Sequence, residues 1–398
     1  MSSHCNPSVV EDGLVFLYDV DDIQSYKGEP TVNLVGNMTK RFNNWNGLTG
    51  TSEYYTTSEG NQGVKVVTTS GTGGVQWYTN STMYNIQAST EYTISATVKY
   101  LGGTPHPNLL YVRQYDGDGQ TSESGKFTTA NQKDLGGGWK RIWRTFTTDS
   151  TTTHINLQGY QYYSGRTIYI QDLQFELKSH ATQFAGASTT RSSTQGLIDR
   201  TGTSTIDISD VSFDSNAQMT FDGTDDYADV SVTDLFQPQN TTDGFTVEYV
   251  YRPEANTSVV PIGNLDSTNG WFQAPISNGS LGAYLYFSTG GVVLSTDSSY
   301  AINSGIIGKY QHIVMVLKWS DTANSFIMVN GEDKTASKAT ASKYTVGGSA
   351  NPALRIGKRG GSIWPANGQI PLIKIYNRAL TAAEVLQNFK ATKSRFGL

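Results

Sequence analysis

The chain has one cysteine, Cys5, in 398 residues, and only 16% of its residues are charged. A single thiol closes no intrachain disulfide and excludes a cysteine-based zinc site, so Cys5 is left with an intermolecular bridge or a buried contact in an assembly at most. Five histidines (His4, His106, His154, His180 and His312) show neither His-x-x-x-His nor His-Glu-x-x-His spacing. His312 precedes the apolar run Ile313-Val314-Met315-Val316-Leu317 and reads as a strand residue rather than a base or ligand. A Gly-x-Ser-x-Gly elbow is missing. So is a close Glu-x-Asp-x-x-Glu arrangement, although glycoside hydrolysis needs two carboxylates across a cleft. No enzyme is expected, with a glycan-active hydrolase the minor alternative should distant carboxylates meet in space.

Basic residues do not dominate: 29 Lys and Arg stand against 34 Asp and Glu, a formal net charge of −5. Holding a phosphate backbone needs concentrated positive charge, so no nucleic-acid partner is expected. No stretch approaches 18 consecutive apolar residues, and no membrane insertion is expected. The opening Met1-Ser2-Ser3-His4-Cys5 lacks a basic region followed by an apolar one, which argues against a cleavable secretory signal. An extracellular role would then require exit by another route, such as lysis.

What the chain has in abundance is Thr, Ser, Asn, Gly and Tyr, residues of strands and tight turns, while helix formers are thin. An all-β protein of two or more domains follows from this balance and from the length. Strand-sized segments at 63–69, 74–78, 91–100, 108–115, 139–147, 153–160 and 167–177 form a first series, spaced as in a sandwich or jelly roll. Residues 92–100 alternate strictly, with Tyr92, Ile94, Ala96, Val98 and Tyr100 on a core face and Thr93, Ser95, Thr97 and Lys99 toward water. In 169–177, Tyr169, Leu173, Phe175 and Leu177 share a phase and read as the matching core face.

After a small, polar link at 179–193, a second series follows at 204–208, 217–221, 227–232, 245–252, 258–263, 271–275, 282–287, 311–319, 325–329, 354–357 and 369–376. Asn330-Gly331 marks a hairpin turn. One helix is expected at the end. Thr381 is its N-cap, Glu384 the capping-box partner, and Val385, Leu386 and Phe389 lie on one side, sealing an open end of the core.

Candidate functional residues fall into two kinds. Asp222, Asp225 and Asp226 put hard oxygen ligands on a short turn, as a Ca²⁺ site requires, though the same residues also shape hairpins by capping backbone N–H groups. Asp19, Asp21 and Asp22 carry the same two readings, with a solvated loop favoured. The run Asp116-Gly117-Asp118-Gly119 lacks the glutamate that closes an EF-hand loop, because position 127 is Phe127.

The second kind is aromatic. Trp77, Tyr78, Tyr160, Tyr162 and Tyr163, with Trp139 and Trp143, supply rings for stacking on sugars or for packing. In Tyr160-Gln161-Tyr162-Tyr163 an extended chain cannot turn every ring to one core. Trp139 and Trp143 share a phase and favour the core. Trp271 and Trp364 sit among loop residues, where ligand contacts concentrate. Arg355, Lys358 and Arg359 form a short basic turn.

The segment Met219-Thr220-Phe221-Asp222-Gly223-Thr224-Asp225-Asp226-Tyr227, with Ile375-Tyr376-Asn377-Arg378-Ala379-Leu380-Thr381-Ala382-Ala383-Glu384-Val385 much later, resembles the laminin-G-like domains of the concanavalin-A-like lectin/glucanase superfamily. Asp12-Gly13-Leu14-Val15-Phe16-Leu17-Tyr18-Asp19 looks like their first strand. In simple members the Phe-Asp-Gly-Thr segment follows that strand by a few dozen residues, whereas here about 200 intervene.

The resemblance therefore implies a concanavalin-A-like antiparallel sandwich formed by 1–30 and 186–398, with 31–185 inserted. The insert, from Asn33-Leu34 and Trp45 to Phe175-Glu176 and Phe184, is similar to jelly-roll carbohydrate-binding modules. Insertion is tolerated where the host ends are close and exposed. The combined layout resembles structural proteins of tailed bacteriophages. It implies a non-enzymatic virion component on the capsid surface or fibre apparatus, a homo-oligomer docked to other virion proteins. A host-surface glycan is the alternative partner, no cofactor is required, and calcium is the one ion to consider.

Overall fold

In the computed structural model, the described residues are 8–36, 39–41, 49–70, 75–78, 84–102, 109–116, 119–124, 131–161, 164–231, 244–264, 270–275, 281–287, 290–296, 305–318, 322–338, 354–358 and 364–398. They form antiparallel sheets, with one short C-terminal helix at Ala382–Thr392. The chain divides into two units, one of Met1–Gly28, Ser193–Asp214 and Gln218–Leu398, the other of Glu29–Ser192 and Ser215–Ala217.

The first unit is a two-sheet sandwich. One sheet runs Ser212–Phe213, Met219–Asp222, Asn367–Tyr376, Gly244–Pro253, Gln311–Lys318, Phe326–Val329, Glu332–Asp333. Leu14–Asp19 also pairs with Asn367–Tyr376, from Leu14 opposite Tyr376 to Asp19 opposite Leu372, while Phe221 and Asp222 pair with Gly368 and Asn367. Two strands about 200 residues apart in sequence thus share a single partner strand. The other sheet runs Ile206–Asp210, Tyr227–Val230, Leu354–Ile356, Ile262–Gly263, Gly270–Pro275, Leu281–Phe287, Gly290–Thr296, Thr335–Lys338.

Alternation explains the core. Phe245, Val247, Tyr249 and Tyr251 point inward with Ile313, Met315, Leu317, Ile373 and Ile375, and meet Ile206, Ala228, Val230, Ile262, Leu354 and Ile356 of the facing sheet. The alternate residues of Gly244–Pro253 are buried too, with only Arg252 partly exposed. The reason is the C-terminal helix.

Its capping box forms as the sequence requires: the Thr381 hydroxyl accepts from the Glu384 N–H at 3.3 Å and Glu384 Oε2 accepts from the Thr381 N–H at 2.7 Å. The helix does not close an end of the core, however. Val385 packs with Val10, Val314, Val316, Met328, Tyr376 and Leu380, so the helix covers the outer face of the first sheet. Val314 and Val316 are apolar on that outer face, which a solvated sheet would not favour.

The second unit is also built from two antiparallel sheets, as a jelly-roll-like sandwich requires. One runs Gln120–Ser124, Tyr111–Tyr115, His154–Gln161, Val75–Tyr78, Thr39–Arg41; the other runs Gln132–Gly136, Trp139–Thr147, Glu91–Leu101, Arg166–Glu176, Gln62–Ser70, Thr49–Thr56. Between them lie Val64, Val66, Ile94, Ala96, Val98, Val112, Ile142, Ile155, Leu157, Ile168, Ile170, Leu173 and Phe175.

Two expectations change here. The polar side of Glu91–Leu101 does not meet water, since Thr93, Ser95 and Thr97 are buried. The Thr93 hydroxyl donates to Lys178 O at 2.8 Å, and Arg141 Nη2 donates to Ser95 Oγ at 2.7 Å. In Arg166–Glu176, pairing with Glu91–Leu101 shifts register between Gln171 and Gln174, and Asp172 sits at φ +55°. This β-bulge reverses the phase, so Ile168 and Ile170 before it and Leu173 and Phe175 after it all face the core. Tyr169 consequently faces the other way, and Leu177 is exposed.

The segments that enter and leave this unit are clamped by polar contacts. Arg191 Nε and Nη2 both donate to Glu29 O, at 2.9 and 2.7 Å. The buried Glu29 carboxylate binds Lys178 and, at 2.6 Å, His180 Nε2. The bond to Glu29 raises the His180 pKa against the opposing effect of its burial. Burial pushes Glu29 up, but bonds to His180 and Lys178 outweigh it and leave its carboxyl below the ordinary value.

A raised histidine stabilises fully below its unfolded pKa of 6.5, and a depressed glutamate fully above its unfolded value of 4.5. The melting temperature of this unit is therefore expected to peak between those values and fall on both sides. His180→Gln should remove the alkaline limb and shrink the acid one, since His180 also helps to depress Glu29; an unchanged profile would show that the clamp does not titrate with folding.

Candidate functional site

The sandwich brings its acidic candidates together at the turn joining Met219–Asp222 of one sheet to Tyr227–Val230 of the other. Asp222, Asp225 and Asp226 each present a carboxylate oxygen, all within 4.8 Å of one another. Asp222 Oδ1 accepts the Thr224 N–H at 2.7 Å, the side-chain turn that Asp favours at such a position. Asp226 reaches back, with Oδ2 accepting from the Asp222 N–H at 2.8 Å and Oδ1 from the Ser212 hydroxyl at 3.0 Å. Asn367 donates to Asp222 O at 2.9 Å.

Asp226 is buried while Asp222 and Asp225 are exposed. Burial raises the Asp226 pKa, and the neighbouring Asp222 charge adds to it. Three crowded, hard oxygen donors fit a Ca²⁺ ion, which would relieve that repulsion. The three carboxylates would hold the ion, and its remaining ligands would be carbonyls or water.

Beside the turn, Lys358 Nζ stands 3.5 Å from the Tyr227 ring centroid and the Arg355 guanidinium 5.1 Å from it, with Arg355 Nε also 2.9 Å from Asp229 Oδ1. Arg355 and Lys358 are thus held on an aromatic ring instead of forming a freely solvated turn, and Arg359 lies outside the described residues. Gly357 makes the approach feasible at φ +94°, where a Cβ would meet Phe221 at 2.4 Å and Asp226 O at 3.1 Å. No local signal places Ser212 or Gly357 at this turn, because each reaches it only through the packing of distant strands.

Trp364 is 38% exposed and adopts φ +55°, a conformation costly for a bulky residue. Its carbonyl accepts the Val260 N–H at 2.8 Å. Trp271 pairs with Leu285, two positions from Gln273, which pairs with the buried Ile262. Register therefore puts Trp271 in the core phase of its strand, and its side chain lies outside the described residues.

In the second unit, Trp77 is registered opposite Gly159, in phase with the buried Ile155 and Leu157. Tyr78 is opposite Gln158 and Tyr160 opposite Gln76, in the other phase. Their side chains, and Tyr162 and Tyr163 altogether, lie outside the described residues, as does Cys5.

The carboxylates of the remaining acidic cluster are engaged by arginines. Arg395 Nη1 and Nη2 donate to the two oxygens of Asp19 at 2.6 Å each, Nη2 also reaches Asp21 at 2.8 Å, and Asp22 pairs with Arg200 at 3.1 Å. Asp19 and Asp21 thereby anchor the C-terminal segment. Asp116 Oδ1 accepts the Gly119 N–H at 2.9 Å, an ordinary turn contact. His312 Nε2 binds the buried Glu248 at 3.0 Å, a structural place.

Residues 222–386 match the model of the concanavalin-A-like lectin/glucanase superfamily, so the chain contains a laminin-G-like domain of that kind. No curated protein matches the chain. Among solved structures, the binding domain of botulinum neurotoxin serotype D is similar at 12% identity and TM-score 0.39, over 51% of this chain and 50% of that one. Domain 4 of AbnA, an extracellular arabinanase from Geobacillus stearothermophilus solved with arabinotriose, is similar at 17% identity and TM-score 0.36, over 48% and 91%. NanB sialidase from Streptococcus pneumoniae follows at 16% and 0.34, over 42% and 27%. The chain spans about half the length of the toxin domain it matches.

Proposed function

We propose that this protein is a non-catalytic glycan-binding protein whose sandwich recognises sugar at the acidic turn, with Ca²⁺ held by Asp222, Asp225 and Asp226. The observation that carries the reading is the convergence of these three carboxylates where the match to the lectin/glucanase superfamily begins. A bound cation at that turn would order it and offer coordination to sugar hydroxyls. The outer face of the first sheet is covered by the C-terminal helix.

The test is a glycan array probed with and without calcium, together with calorimetric calcium titration. An ion that binds only the folded state stabilises by about 2.7 kcal/mol at a hundred times its Kd. That corresponds to a rise in melting temperature of roughly 5–11 °C for a unit of this size. Asp225→Asn is expected to abolish the rise and, without calcium, to raise the melting temperature slightly by relieving repulsion. Calcium-independent melting would sink the metal part of the reading; absence of any calcium-dependent glycan signal would sink the binding part.

A place on a virion surface, as a homo-oligomer among other virion proteins, is a second proposal that rests on the sequence resemblance alone. Its test is stoichiometric recovery of the protein with purified particles.

A further inference from the structure

We propose that Lys374 and Asn388 join in a spontaneous isopeptide bond, with Glu248 carrying the protons, so that the C-terminal helix becomes covalently fastened to the sheet beneath it. The site lies wholly within the sandwich and does not depend on the acidic turn.

Strand pairing and the helix bring the three side chains together. Glu248 and Lys374 are direct neighbours across paired strands, and Asn388 meets them from the helix Ala382–Thr392. All three are buried. Lys374 Nζ lies 2.7 Å from Glu248 Oε1, and Asn388 Nδ2 lies 2.6 Å from Oε2 of the same carboxylate. One carboxylate thus bridges an amine and a primary amide, the two groups an isopeptide bond is made from. His312 Nε2 holds Oε1 from a third side at 3.0 Å. The amide is fixed as well: Asn388 Oδ1 accepts the Val10 N–H at 2.8 Å, and Nδ2 also donates to the Tyr376 hydroxyl at 2.9 Å. Among the described residues Lys374 Nζ bonds to Glu248 alone, so no second acceptor ties it away from the amide.

The step balances without a co-reactant. Glu248 Oε1 takes a proton from the Lys374 ammonium, the freed amine attacks Asn388 Cγ, and the Val10 N–H faces the oxygen on which charge develops. The Nζ–Cγ bond forms and the Cγ–Nδ2 bond breaks. Both protons shed by Nζ pass through the carboxylate to the departing nitrogen, which leaves as ammonium. One ammonium is consumed and one released, and nothing is oxidised.

Burial acts to raise the Glu248 carboxyl, but the Lys374 charge and the bond from His312 outweigh it and hold it low. The charged pair is therefore the resting form. The bond forms from the minor neutral pair, slowly, and freshly folded protein retains the ion pair. In a chain with one cysteine, such a bond supplies the covalent staple that no intrachain disulfide can.

The test is intact-mass spectrometry of the full chain, fresh and after several days of incubation below its melting temperature. The aged chain is expected to weigh about 17 Da less than its sequence, the mass of one ammonia. Its tryptic digest should yield a branched peptide joining Lys374 to Asn388, uncut after Lys374. Imide formation at an asparagine loses the same mass without a branch, so the branched peptide decides. Glu248→Gln should slow its appearance at least about a hundredfold, the scale of general acid–base catalysis. Lys374→Arg, which keeps a cation facing Glu248, should give none. The wild-type chain decides by itself if these variants fail to fold. Full sequence mass after incubation, an ammonia loss confined to other asparagines, or a branch forming at the wild-type rate in Glu248→Gln would each overturn the proposal.

Discussion

Replacing Lys374 with methionine is expected to destabilise the sandwich by about 3–5 kcal/mol, the range for removing one partner of a buried ion pair. Lys374 is 1% exposed and Glu248 fully buried, with Nζ 2.7 Å from Glu248 Oε1. The same carboxylate accepts from His312 Nε2 at 3.0 Å and, through Oε2, from Asn388 Nδ2 at 2.6 Å. Asn388 in turn accepts the Val10 N–H at 2.8 Å and donates to the Tyr376 hydroxyl at 2.9 Å, which donates to Val10 O at 3.1 Å. One cluster thus ties the C-terminal helix and the N-terminal segment to the middle of a sheet, and methionine would leave the buried carboxylate with His312 and Asn388 but without the lysine charge that offsets its burial.

The pH dependence sharpens this test. Burial alone would raise the Glu248 pKa, yet the Lys374 charge and the bonds from His312 and Lys374 bring it from 4.5 to about 2. A depressed carboxylate contributes its stability above the unfolded pKa and loses it as pH falls through the folded one. Urea denaturation should therefore show wild-type stability declining between pH 4.5 and about 2. In Lys374→Met, burial is less opposed and the Glu248 pKa rises, so the gap to wild type should narrow over the same interval. Glu248→Gln combined with Lys374→Met should recover part of the loss at pH 7. A single Lys374 variant within about 1 kcal/mol of wild type would contradict the buried network.

Gly357→Ala is expected to cost about 2–6 kcal/mol, the sum of a forced positive φ and an overpacked contact. Gly357 holds φ +94°, and the added carbon would fall 2.4 Å from the Phe221 ring and 3.1 Å from Asp226 O. Phe221 belongs to the core and Asp226 to the acidic turn, so relief must move one or both. Calcium affinity should fall together with the melting temperature. Gly202→Ala provides the comparison, since φ is +73° there but no atom lies within 4 Å of the new carbon. It should cost only the backbone strain and leave calcium binding intact; equal effects in both variants would show that crowding at Gly357 is not what shapes the turn.

Much of this architecture was legible in the chain itself. Composition and period-two alternation specify sheets, the Thr381 and Glu384 pair specifies where the final helix starts, and Asp222-Gly223-Thr224-Asp225-Asp226 specifies a turn rich in oxygen donors. These are local rules, decided by side-chain sterics and by hydrogen bonds a few residues long.

Which face each strand buries was only partly legible. A single residue at Asp172 adopts a left-handed conformation and reverses the phase of its strand, taking Tyr169 out of the core row that alternation implied. Trp139 and Trp143 share a phase, but phase alone does not say which side is the core; the pairing with Lys99 and Ser95 does. The helix likewise went to a sheet face because Val314, Val316 and the Glu248 cluster needed cover, a demand visible only once the strands are side by side.

The sequence by itself determined the kinds of elements, their turns and the acidic motif. Only the tertiary structure decided which side of each sheet is buried and which distant groups meet. The physical reason is that register and burial are set by pairing between strands as far apart in sequence as Leu14–Asp19 and Asn367–Tyr376, where Leu14 meets Tyr376, and no local preference encodes that pairing.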